Sequence, residues 1–156
     1  MPNKRTCGTC TECCKTHPVD ELQKLAGKWC RYRVKDKGCR VYDSRPNGCR
    51  EFECQWLKGH GDETDRPDLT GIVIDYYPLE TLGKTALLYE SRTEALVKKY
   101  GKELIAQFVD NKLPVLQRFL SGREILLVPR SLPIPLDKLQ TLAHDKRKVY
   151  LVEVRT

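Results

Sequence analysis

Beyond Cys54 the chain has no cysteine, although eight lie between Cys7 and Cys54. Other absences narrow the field further. No run approaches the roughly 18 apolar residues that a membrane span needs, so no transmembrane helix is expected. The opening MPNKRTCGTC is polar and lacks the apolar core of a secretory signal, so a cytoplasmic location is expected. There is no phosphate-binding glycine loop, no H-E-x-x-H and no serine-centred elbow, which removes the common nucleotide, metalloprotease and esterase readings. Histidine is scarce, with only His17, His60 and His144. Catalysis by a Cys–His pair would need one thiol exposed and activated, so a binding protein is favoured over an enzyme.

What is present is a soluble-type composition, 40% apolar and 31% charged, in 156 residues, enough for one compact domain or one with a small appended module. In a reducing compartment dense cysteine reads first as metal binding or redox chemistry rather than as structural disulfides. The net charge of +7 is unevenly spread. Residues 1–58 carry a balance of +6 and residues 59–156 only +1. Two divalent ions held by eight thiolates would remove four positive charges, so the basic excess reads as compensation for sulfur. No groove-reading motif accompanies it, and nucleic acid is an unlikely partner on these grounds.

The chain divides into a Cys-rich metal-binding module, 1–58, and an α+β region, 59–156, expected to pack together as one compact unit. Val19, Leu22, Leu25 and Ala26 recur at helical spacing before Gly27, which predicts a short helix on the cluster. A helical turn is expected near 49–57, and Trp29 and Trp56 are expected in the module's core. The polar stretch 58–68, with Asp62, Glu63, Asp65 and Asp68, reads as a solvated linker. Strands are predicted at 70–78, 83–91, 123–131 and 148–156, the first two as an antiparallel hairpin. Ser91–Glu94 fits a capping box opening a helix that Gly101 interrupts, with a second helical face marked by Leu104, Ile105, Phe108 and Val109. Pro114 is expected to open a further helix ending at Gly122, and a Pro-rich linker after 131 to run into a short helix. The expected fold class is α+β, with a Cys-rich metal-organised module packed on a small, mainly antiparallel sheet with helices.

The cysteines are spaced C-x2-C-x2-C-C-x15-C-x8-C-x9-C-x4-C. Thiolates two residues apart wrap one metal, because the short loop turns both sulfurs inward and offers backbone N–H groups to them. Neighbouring side chains diverge, so Cys13 and Cys14 are expected to serve different metals. The candidate ligands are Cys7, Cys10, Cys13, Cys14, Cys30, Cys39, Cys49 and Cys54, which divide into two four-thiolate sites suited to two zinc ions. CGTCTEC also has the C-x2-C-x2-C run that holds three corners of a four-iron cluster, so an iron or [4Fe-4S] centre is the alternative, and metal-free thiols or disulfides the third. His17, three residues after Cys14, is placed to substitute for a thiolate, but a non-ligand histidine is the plainer reading, because eight thiolates require no histidine.

CGTCTECC followed by GCRVYDSRPNGCREFEC resembles the CxxCxxCC family of YkgJ-like cysteine cluster proteins, described as zinc- or iron-chelating domains. Cys7, Cys10, Cys13 and Cys14 match its first element, Cys30 its intermediate cysteine, and Cys39, Tyr42, Arg45, Pro46, Cys49 and Arg50 its last, with Cys54 beyond. Thr11 stands where many members have glycine, which bears on the local turn and removes no ligand. The resemblance spans about 50 residues and implies metal binding, not an activity. Flagellin lysine methylases carry a related pattern, but nothing here resembles a methyl-donor site. Arg45, Arg50 and Tyr42 are candidates for orienting and shielding the thiolates, against the plainer reading of surface arginines and a rim tyrosine. A metal-binding protein with a structural or partner-presenting role follows, its alternatives an iron–sulfur protein in electron transfer or enzyme assistance and a module delivering metal to another protein.

Overall fold

The structure is a computed structural model describing residues 5–155. The polar opening residues 1–4, and Thr156 at the end of the last predicted strand, lie outside that description.

The fold is α+β, and a five-stranded sheet is its frame. Its strands β3 (Ile72–Leu79), β4 (Gly83–Glu90), β5 (Val115–Arg118), β6 (Glu124–Pro129) and β7 (Arg147–Val152) lie in sequence order. β3–β4 and β5–β6 are antiparallel, whereas β4–β5 and β6–β7 are parallel, so the sheet is mixed where the sequence reading has it mainly antiparallel. Each parallel pair is joined through a helix, α4 (Lys99–Asp110) or α5 (Leu136–Thr141), because parallel neighbours need a crossover.

Side-chain alternation divides the core between the two faces of the sheet. Ile72, Ile74, Ala86, Leu88 and Val115 meet Leu104, Phe108 and Val109 of α4 on one face. Leu87, Leu116, Leu126 and Val128 meet Leu139 of α5 on the other. Near β3 that second face is covered instead by Cys54 and Trp56, packed on Val73.

Two helices expected from the sequence are replaced. Residues 115–118 form a strand, because Val115 and Leu116 fill a buried slot between β4 and β6, and strand pairing outweighs Pro114 as a helix opener. The capping box at Ser91 does not start a helix. Glu94 sits at φ +65° and the Ser91 hydroxyl has no partner, so turns run to Lys98 before α4 begins. Gly101 lies within α4 without interrupting it. A Cβ there would stand 2.4 Å from the Ala95 carbonyl oxygen, so glycine permits the close approach of the preceding turn.

The cysteine-rich module is built from short pieces: α1 (Cys13–Thr16), the two-residue strands β1 (Arg33–Val34) and β2 (Gly38–Cys39), and α2 (Asn47–Glu51). The helix expected over 19–26 is absent. Pro18 and a left-handed Gln23 confine it to one tight turn at Asp20–Leu22, closed by Val19 pairing with Lys24, and Leu25 points to solvent. The stretch 62–70 is ordered rather than a bare linker. Asp62 and Asp65 form a reciprocal cap, and Pro67–Thr70 forms α3. Among the described residues no helix is long and apolar enough to cross a membrane.

Candidate metal centre

Within the module, short turns bring distant cysteines together. The Cys10 N–H donates to the Cys7 carbonyl at 2.8 Å, closing the first knuckle. The Cys14 N–H donates to Thr11 at 2.9 Å and starts α1 with both adjacent cysteines on one turn. Cys30 is tied back when its N–H donates to the Cys14 carbonyl at 3.0 Å. Cys39 arrives through the β1–β2 hairpin, where Gly38, at φ +102°, faces the Gly8 carbonyl oxygen 2.7 Å from where a Cβ would stand. Pro46 precedes α2, whose first turn carries Cys49.

All eight cysteines line one cavity of about 80 Å³, together with His17, Tyr42, Phe52, Trp56 and Pro67 among others. Cys54 is buried and the other seven are half-buried, and all eight are free of disulfides. Among the described residues no three His, Cys, Asp or Glu side chains form a ready-made ligand group. The chain thus surrounds a space with sulfur without closing a coordination shell.

Burial sets the acidity of these thiols. Loss of solvent pushes Cys10 up to about 12, with Asp68 and Glu12 adding to it. Burial likewise raises Cys39, Cys49 and Cys54, reinforced by neighbouring thiolates. Cys13 and Cys14 act on each other: the adjacent Cys14 sulfur, with burial, holds Cys13 well above the thiol range. Cys13, helped by Lys24 and Arg33, in turn lowers Cys14 to about 7 against its own burial. Cys14 is thereby the more acidic sulfur of the pair.

The groups proposed to orient the cluster divide. Tyr42 lines the cavity, and the nearby Cys7, with burial, raises the pKa of its hydroxyl. Arg45 also lines it, stacks its guanidinium 3.7 Å from the Tyr42 ring centroid and donates to the Tyr42 carbonyl at 2.8 Å. Arg50 is outside the cavity lining and ties the turn together by donating to the Arg45 and Asp43 carbonyls. Trp56 is core, but Trp29 lies on the surface between Lys15 and Arg33.

Lys24 escaped the sequence reading. It is only 9% exposed, its ammonium donates to the Lys15 and His17 carbonyls, and Cys13, Cys14, Cys30 and Cys49 are close enough to act on its charge. Treating 19–26 as a helix hid it, since the tight turn is what folds Lys24 inward. The available signal was a cation flanked by two cysteine runs. Arg33 was missed similarly; it donates to the Thr11 hydroxyl at 3.1 Å beside the first knuckle.

His17 stands in the cavity wall, its ring centroid 3.7 Å from that of Phe52 and 4.6 Å from that of Tyr89. Burial, with Lys24 and Arg118 nearby, lowers it to about 4, so the ring is neutral at pH 7. His60 stacks on Phe108 and His144 approaches Glu124, and neither lines this cavity. The acidic stretch serves structure as well: Asp68 pairs with Arg66, which also donates to Thr9, and Tyr100 donates to Asp65.

The donor set suits a soft or borderline metal, since it offers sulfur in excess and a buried neutral imidazole. No family model, no curated protein and no solved structure matches this chain.

Proposed function

We propose that the chain is a metal-binding protein whose cysteine thiolates hold two zinc ions in a structural or partner-presenting role. The observation that carries this reading is the convergence of all eight cysteines, drawn from 48 residues of sequence, on a single cavity. Its support is also energetic. Val19, Cys54 and Trp56 are the buried apolar side chains of the described module, whereas the sheet region has a core on both faces. A segment with so little apolar burial gains its stability from ligation. Cys7, Cys10, Cys13, Cys14, Cys30, Cys39, Cys49 and Cys54 would hold the ions, with Lys24, Arg33 and Arg45 offsetting thiolate charge. The resemblance to the CxxCxxCC cysteine cluster proteins agrees with this assignment, and a cytoplasmic, reducing location would keep the thiols available.

An iron–sulfur centre is the second reading, and the cavity has room for it. About 80 Å³ is several times the roughly 10–15 Å³ at which a cavity first admits one water. That is room for an assembly of atoms as well as for separate ions. Anaerobic purification with elemental analysis and visible absorption separates them. Colourless protein with two zinc ions per chain supports the first reading, and brown protein with iron and acid-labile sulfide supports the second. Protein that retains neither metal after anaerobic reconstitution overturns both.

A further inference from the structure

The eight thiols leave one donor in the cavity wall unaccounted for. His17 Nε2 is shut off from solvent and has no hydrogen-bond partner. A buried ring nitrogen without a partner is destabilising, and such an atom in a folded protein calls for an explanation, an ion among them.

Its surroundings bear on what kind of atom it is. The Thr16 hydroxyl lies 2.8 Å from His17 Nδ1 and 3.4 Å from the Glu12 carbonyl, one turn back in the backbone. When the hydroxyl proton goes to that carbonyl, the neutral ring keeps its own proton on Nδ1, and Nε2 presents a bare lone pair. A metal-binding histidine is oriented in this manner, its far nitrogen donating to an oxygen that sets tautomer and ring angle. The Phe52 and Tyr89 rings pack against the imidazole at tilts of 35° and 51°, and the Lys24 ammonium holds the residue's carbonyl. The ring occupies the wall of the same cavity that the eight cysteines line.

We propose that His17 is a further ligand of the centre, taking one position in place of a thiolate and giving a mixed sulfur and nitrogen shell through Nε2. This rests on the metal-binding reading above. It also distinguishes His17 from the other two histidines, whose rings face Phe108 and Glu124.

The test uses full-length protein labelled with ¹⁵N-histidine and loaded with Cd²⁺, a spectroscopic substitute for zinc. Bound cadmium is counted by elemental analysis, and the histidine ring nitrogens are observed by NMR with ¹¹³Cd and again with spin-free ¹¹²Cd. The expected result is a His17 Nε2 resonance split by ¹¹³Cd and unsplit by ¹¹²Cd. His17→Phe, which keeps a flat ring without a donor, should lose that signal while retaining bound cadmium. If His17→Phe does not fold, His60→Gln and His144→Gln assign the resonance by elimination. Cadmium bound with His17 Nε2 unsplit overturns the histidine ligand and leaves the thiolate centre standing. No retained cadmium overturns the thiolate centre, and the histidine ligand with it.

Discussion

The Gly8 carbonyl oxygen occupies the space beside Gly38 where any other residue would carry its Cβ, 2.7 Å away. This contact seats the hairpin that delivers Cys39 against the loop that delivers Cys7 and Cys10. Gly38→Ala should therefore cost about 1–3 kcal/mol in left-handed strain and lower the metal content of the purified protein. Gly27→Ala is the comparison: Gly27 also has positive φ, at +77°, but nothing lies within 4 Å of its missing Cβ. Denaturation midpoints and metal analysis of the two variants decide; equal metal loss in both would refute the role given to the Gly8–Gly38 contact.

Lys24 places a buried positive charge against the thiolates, so Lys24→Met should weaken metal binding by about 10–100-fold at neutral pH. Lys28→Met, at an exposed position in the same loop, should change it little. Competition against a chelator of known affinity measures both. An unchanged Lys24→Met affinity would remove Lys24 from the site.

Metal uptake should release protons, and the sign follows from the thiols. Burial holds Cys10, Cys39, Cys49 and Cys54 above the ordinary thiol value, so these are neutral near pH 7 in the metal-free fold. Ligation requires the thiolate, and lowering the pH restores the competing proton. Apparent affinity should thus rise between pH 6 and 8, with more than one proton released per ion. Calorimetry in buffers of different ionisation enthalpy reads that number, and a value near zero would contradict the assignment of these thiols as ligands.

Chelation should strip hydrogen-exchange protection from the cysteine-bearing residues 7–54 while leaving β4, β5 and β6 protected. The contrast follows from the two cores: β4 to β6 are buried between helices, and the module has little apolar burial of its own. Exchange mass spectrometry of metal-loaded and stripped protein shows the pattern directly. Unchanged protection across 7–54 would mean that the module stands without metal.

The β3–β4 hairpin, β6, α5 and the final strand were legible because alternation and turn residues mark them locally. Residues 115–118 were not, since their strand identity comes from the neighbours on either side and not from their own pattern. The ligand set was legible as spacing, while its convergence depends on backbone bonds such as Cys30 to Cys14 that no local pattern announces. Lys24 and the setting of His17 were the least legible. Lys24 depends on a tight turn that is invisible when 19–26 is read as a helix, and the burial of His17 against Phe52 and Tyr89 depends on contacts distant in sequence.

The Gln55 N–H donates to the Ile74 carbonyl at 2.9 Å, so the loop after Cys54 lies along the outer margin of β3. Strands left open at a sheet margin recruit strands from other molecules. A module that loosens without metal would uncover that margin together with Val73 and Trp56, which are buried against each other. Thiol oxidation or metal starvation would then be felt first as self-association, making colloidal behaviour a reporter of the loading state.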